Sequence, residues 1–256
     1  MCFDTTARPP LPPITGGAGI ASSGHVELRA GDGNRFMAST ATSAEPGAPG
    51  IVILPDVRGL HPFYRDLAER FASAGVHATA FDYFGRTAGI GDRGEDFEYR
   101  EHVDQTTPDG VAADVAAAVA HVRAEAGGGA SAVYTVGFCF GGRNSFNQAA
   151  RGHGLDGVIG FYGAPQQRGD EDTNAPTMLA PGYSCKVLGL FGGADRGIPP
   201  EAVADFDAAL ARAGVEHDLV TYPGAPHSFF DRTFDEHRDA CEDAWRRMLR
   251  FVGRGN

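Results

Sequence analysis

The stretch from Ser131 to Ser145, SAVYTVGFCFGGRNS, restricts the possible folds more than any other part of the chain. An apolar, β-branched run leads into Gly137-Phe138-Cys139-Phe140-Gly141-Gly142, and a polar segment able to form a helix follows. A strand that turns sharply into a helix, with a nucleophilic side chain at the tip and glycines on both sides, is a nucleophile elbow. The glycines answer a steric need. The tip residue sits in a strained backbone conformation, and a Cβ two positions to either side would collide with the neighbouring strand and helix. The usual tip residue is serine. Here it is Cys139.

An elbow needs a sheet around it. His25 to Ala30 and Arg35 to Thr40 flank Gly31-Asp32-Gly33-Asn34, which predicts a hairpin. Ile51-Val52-Ile53-Leu54 is a continuous apolar run, as expected for a strand buried on both faces. Leu60, Phe63, Leu67 and Phe71 recur at helical spacing and Gly75 closes that helix. Val76 to Phe81 is the next strand, and Asp82 to His102 is a polar, Gly-rich excursion beyond it. Val111, Val115, Val119 and Val122 mark a second amphipathic helix, stopped by three glycines at 127–129.

After the elbow, strands are expected at Gly157–Tyr162, Lys186–Phe191 and Asp218–Tyr222, with helices between and a last one carrying Trp245, Met248 and Val252. Strands alternating with helices after an opening hairpin predict a mainly parallel central sheet with an antiparallel N-terminal hairpin and helices on both faces. No internal repeat or second composition regime interrupts the pattern. The expectation is therefore an extended arm over 1–23, rich in Pro and Gly, followed by one α/β domain over 24–256.

Composition narrows the partners. The net charge is −11 and no basic run occurs, which argues against nucleic acid and anionic membrane surfaces. There is no run of eighteen apolar residues and no basic-then-apolar leader, so neither a transmembrane helix nor a signal peptide is expected. The four cysteines, Cys2, Cys139, Cys185 and Cys241, are scattered. A reduced, cytoplasmic protein is the economical reading, since an oxidising compartment would threaten a catalytic thiol. Lys186 is the only lysine, so arginine supplies almost all the positive charge.

In an open parallel sheet the functional groups collect at the C-terminal ends of the strands. Cys139, Asp195 and His227 each follow a predicted strand, in the order nucleophile, acid, histidine. A neutral thiol is a poor nucleophile at pH 7. A histidine in hydrogen-bond reach takes its proton, and an acid on the far ring nitrogen fixes the tautomer. The backbone N–H of Phe140 directly after the nucleophile and that of Val57 after the Ile51–Leu54 strand are the natural oxyanion donors. Asp231, Asp235, Glu236 and His237 superficially resemble metal ligands. Their position at the start of a helix, where acids are favoured electrostatically, predicts a solvated face instead. No metal or cofactor is expected.

These residues resemble the dienelactone hydrolase (carboxymethylenebutenolidase) family, the branch of the α/β-hydrolases that uses cysteine instead of serine. The resemblance spans Ile51 to Val252 and rests on Gly-Phe-Cys-Phe-Gly-Gly at 137–142, Gly-Phe-Tyr-Gly at 160–163, Gly-Ala-Asp at 193–195 and Pro-His-Ser-Phe at 226–229. It implies the α/β-hydrolase fold, a Cys139–His227–Asp195 triad, and ester or lactone hydrolysis through a cysteine acyl-enzyme. It implies Asp56, where the family usually has Glu, as the acid that holds the resting thiol. It also implies arginines that bind a substrate carboxylate, with Arg100 and Arg232 as candidates and Arg86 as a rival, and Tyr162 lining the pocket or packing under it. The implied substrate is a small anionic enol lactone from aromatic-compound breakdown. An esterase, thioesterase or peptidase on the same scaffold, and a non-catalytic thiol-sensing or binding protein, remain the alternatives.

Overall fold

In a computed structural model, residues 7–14, 17–94 and 96–254 are described. Cys2 lies outside them. Eight strands form one sheet: β1 (Ile20–Arg29), β2 (Arg35–Ser43), β3 (Gly50–Leu54), β4 (His77–Phe81), β5 (Val133–Phe138), β6 (Gly157–Phe161), β7 (Lys186–Gly192) and β8 (His217–Tyr222). Their order across the sheet is β1-β2-β4-β3-β5-β6-β7-β8. β1 pairs antiparallel with β2 and β2 with β4; every other pairing is parallel. The helices are α1 (Pro62–Ser73), α2 (Gly85–Ala88), α3 (Arg100–Asp104), α4 (Pro108–Arg123), α5 (Phe140–Gln148), α6 (Pro176–Leu179), α7 (Pro200–Arg212) and α8 (Arg238–Phe251).

β3 to β6 are buried along their whole length, as their continuous apolar runs require. Alternation along one strand separates the two helical layers. In β6, a Cβ on Gly160 would meet the Phe146 ring of α5. The next residue, Phe161, packs instead at a tilt on Phe230, which touches Trp245 of α8. Trp245 in turn packs on Phe71 of α1 at 4.9 Å, and Phe146 on Phe206 of α7 at 5.1 Å. α4 starts with Thr107, whose side chain accepts the Gly110 N–H, and with Pro108, whose missing N–H costs nothing in a first turn.

One boundary differs from expectation. β1 begins at Ile20, so residues 20–23 belong to the hairpin and not to the arm. Ser22 and Ser23 carry no strand signal; they are recruited by pairing with Thr42 and Ala41, and the Ser22 and Thr42 hydroxyls lie 2.7 Å apart. The described part of the arm before them is tied to the domain at two points. Pro10 accepts a hydrogen bond from Trp245 Nε1 at 3.0 Å, and Arg8 pairs with Asp66 of α1. The Asp82–His102 excursion contains α2 and the start of α3, and buried Arg93 pins it by pairing with Asp82.

Candidate active site

Cys139 joins β5 to α5 with φ 55° and ψ −112°, a left-handed conformation that an L-residue adopts only under strain. The neighbours enforce it. A Cβ on Gly137 would overlap the Gly141 carbonyl oxygen, and one on Gly141 would overlap the Leu54 and Pro55 oxygens at the end of β3. The Cys139 N–H donates to the Phe161 carbonyl at 3.0 Å, and the buried hydroxyls of Thr135 and Ser145 lie 2.8 Å apart, tying strand to helix. The result is a half-buried thiol at the C-terminal edge of the sheet. The Phe140 N–H opens α5, where no carbonyl one turn earlier can take it.

Asp195 follows β7 and His227 follows β8. Asp195 Oδ2 lies 2.6 Å from His227 Nδ1, and its Oδ1 accepts the Gly197 N–H at 2.8 Å. Their loops are stitched together: Gly193 N–H donates to the Tyr222 carbonyl at 2.8 Å and Ala194 N–H to Ala225 at 2.9 Å. The acid thus holds the imidazole through Nδ1. Tyr162, after β6, has φ 37° and is buried with its ring 4.9 Å from that of His227.

Asp56 sits at the end of β3, 2% exposed. Its carboxylate accepts from the Arg58 N–H at 2.8 Å, from Arg58 Nε at 3.0 and 3.1 Å, and from Arg58 Nη2 at 2.6 Å. Arg58 Nη2 also donates to Asp231, which is equally buried. Burial opposes the charge on Arg58, but the Asp56 carboxylate, its hydrogen bonds and Asp231 prevail and hold the guanidinium protonated. This corrects the expectation that Asp231 belongs to a solvated face. Asp235 and Glu236 are exposed, and α8 starts only at Arg238. No cluster of three His, Cys, Asp or Glu among the described residues could hold a metal ion.

The three arginines proposed for a substrate carboxylate are placed differently. Arg86 is half-buried and bonds Asp114 at 2.8 and 3.0 Å and Asp32 at 2.6 Å, so its fork is already filled by protein carboxylates. Arg100 and Arg232 are exposed.

Arg58, Asp231, His61 and Tyr83 were not singled out as site residues from sequence. Arg58 lies two residues beyond Asp56 in Pro-Asp-Val-Arg-Gly, a local clue. Asp231 is 173 positions away, and no local pattern links them. His61 is buried with neither ring nitrogen hydrogen-bonded among the described residues, and burial, with the Arg58 charge adding to it, pushes its imidazole down to about 3. Tyr83 follows β4; its hydroxyl is buried without a partner among the described residues and its ring stands edge-on to Phe140 at 5.4 Å. Burial, with the charges of Asp56, Asp82 and Cys139 adding to it, holds the phenol well above its usual range.

The model of the dienelactone hydrolase family matches residues 36–255. The chain belongs to the dienelactone hydrolase family. A candidate carboxymethylenebutenolidase of Salmonella typhimurium is 32% identical over 216 residues, covering 81% of this chain and 78% of its own length. A crystal structure of a candidate dienelactone hydrolase from Klebsiella pneumoniae superposes with a TM-score of 0.78 at 27% identity, over 91% of this chain and 99% of that one. A dienelactone hydrolase-like promiscuous phosphotriesterase from metagenomic libraries shares the fold, with a TM-score of 0.73 at 21% identity over 91% and 98%. The sheet order and its antiparallel opening are accordingly those of the α/β-hydrolase fold, and the chain is an enzyme of a hydrolase family. No helix among the described residues is long and apolar enough to cross a membrane.

Proposed function

We propose that this dienelactone hydrolase family member opens esters or lactones through a cysteine acyl-enzyme. His227 Nε2 takes the thiol proton and the Cys139 sulfur attacks the carbonyl carbon. The Phe140 and Val57 N–H groups hold the oxyanion that forms. Collapse breaks the carbon–oxygen bond, and the imidazolium returns its proton to the departing oxygen. Water, deprotonated by the same imidazole, then cleaves the thioester and restores the thiol. Asp195 keeps the ring oriented and its tautomer correct throughout. The observation that carries this reading is the 2.6 Å Asp195–His227 contact, on loops at the same C-terminal sheet edge that carries a cysteine held at φ 55° between two glycine contacts. A thiol used in this way needs a reducing compartment, which fits the cytoplasm.

Enol lactones of the kind named by the family are the first substrates to assay, with an activated ester as a kinetic probe. A burst of product from the ester, stoichiometric with enzyme and abolished in Cys139→Ala, is the expected result. Turnover of the same ester by Cys139→Ala at the wild-type rate would remove Cys139 from the mechanism, and failure to cleave any ester or lactone would remove the hydrolase reading.

A further inference from the structure

We infer that the site accepts uncharged esters or lactones and discriminates against substrates with a carboxylate near the scissile bond. This rests on Cys139 being the nucleophile and departs from the anionic substrate that the family resemblance implies. The charges on the loops that share the C-terminal edge of the sheet with the thiol carry the inference. Asp56 follows β3, Asp195 follows β7, and Asp231 lies four residues past His227. Against these three carboxylates stand one buried cation, Arg58, already bound to two of them, and the His227 imidazolium that forms when the thiol gives up its proton, already bound to the third, Asp195. The other buried arginines are also matched, Arg93 to Asp82 and Arg143 to Asp172. Arg86 is filled by Asp32 and Asp114.

A carboxylate entering the site would therefore find excess negative charge in a partly desolvated setting, and its oxyanion would add to it. Exposed Arg100 and Arg232 offer only screened, weak attraction. The net charge of −11 repels an anion from a distance as well. The walls favour apolar groups: the Tyr162 ring stands at His227 and the Tyr83 ring at Phe140.

The field at the sulfur can be read without any turnover. Iodoacetamide and iodoacetate both alkylate a thiolate by displacing iodide, and they differ in charge. Their rates at Cys139 in the intact wild-type chain, read by peptide mass and divided by their rates on a small free thiol, report the local potential. Burial pushes the thiols of Cys185 and Cys241 up to about 11 and about 12, so these react slowly at neutral pH. We expect the normalised ratio to favour iodoacetamide by roughly tenfold or more, the scale of like charges within about 8 Å. The iodoacetate rate should also rise as salt goes from about 20 mM to about 500 mM and shortens the screening length. Asp231→Asn, which removes one carboxylate from Arg58, should move the ratio several-fold towards iodoacetate. The wild-type ratio decides the matter even if that variant does not fold. A ratio equal to or below that of the free thiol, or an iodoacetate rate that falls with salt, overturns the inference.

In a parallel assay, p-nitrophenyl acetate should exceed the p-nitrophenyl half-ester of succinate in kcat/KM. Faster cleavage of the half-ester, lost in Arg100→Ala or Arg232→Ala, also overturns it. If neither ester is cleaved, the hydrolase reading fails, while the alkylation ratio still scores the charge preference.

Discussion

The Arg58 guanidinium forks onto both carboxylate oxygens of Asp56, and the Arg58 N–H reaches one of them as well. The acid expected to hold the resting thiol is thus also one pole of a buried ion cluster whose other pole is Asp231. Arg58→Met keeps a flexible, unbranched stem, though a shorter one, and removes its charge. Two carboxylates then remain in a space only a few per cent exposed. Breaking a buried ion pair from one side costs about 3–5 kcal/mol, much more than the pair contributes against an apolar replacement. Urea unfolding should show that loss for Arg58→Met and recover part of it in Arg58→Met with Asp231→Leu. A loss of less than about 1 kcal/mol, the range of an exposed pair, would mean the cluster is hydrated in solution.

Asp195 uses both oxygens, one on His227 and one on the Gly197 N–H. An asparagine there can present its single oxygen to only one of them, and facing His227 with its NH2 inverts the tautomer. Asp195→Asn should lower kcat by about 10²–10⁴-fold while the protein remains folded. Stopped-flow ester hydrolysis beside a thermal melt checks both halves. A kcat within about threefold of wild type would place the orienting role elsewhere.

The features written in contiguous residues were legible from sequence. The β5 run and the glycines at 137, 141 and 142 specify the elbow locally, and the strand ends at Asp195 and His227 follow from periodicity. Features that depend on distant partners were not. Ser22 and Ser23 become strand because β2 pairs with them. Asp231 looks like a helix-start acid until Arg58 of the β3 loop is seen against it. Arg86 looks like a free cation until Asp114 of α4 meets it. A charged side chain has no period, so its partner shows only once the topology brings the two segments together.

His61 should contribute a distinct acid sensitivity. Its imidazole stays neutral in the folded protein down to about 3, whereas the same group in an unfolded chain titrates near 6.5. Between those values the unfolded state binds the additional proton, so stability rises with pH across the window. The contribution is fully present above about pH 6.5 and is lost as the pH falls towards about 3. From pH 7 to pH 5 the wild type should lose about 2 kcal/mol more than His61→Phe, which keeps a ring against Phe63 and Tyr64. His77, His121 and His153 are also lowered by burial, but they are present in both proteins and cancel in the difference. Equal pH slopes for the two proteins would show that His61 is solvated.

Tyr83 offers the clearest separation of stability from function. Its hydroxyl is buried with no hydrogen-bond partner among the described residues, an arrangement that costs about 1–3 kcal/mol. Tyr83→Phe removes the orphaned oxygen and preserves the edge contacts to Phe81, Phe84 and Phe140. The melting temperature should therefore rise, by roughly 2–4 °C per kcal/mol gained for a chain of this size. An unpaired buried polar group calls for a reason, and a role at a functional site is one. The Tyr83 ring stands on Phe140, whose N–H is the proposed oxyanion donor, so the same substitution should lower kcat/KM by about tenfold, the value of one hydrogen bond. A higher melting temperature with unchanged kcat/KM would confine the hydroxyl to a packing defect. An unchanged melting temperature with lower kcat/KM would mean that water already satisfies it in the resting enzyme and that substrate displaces that water.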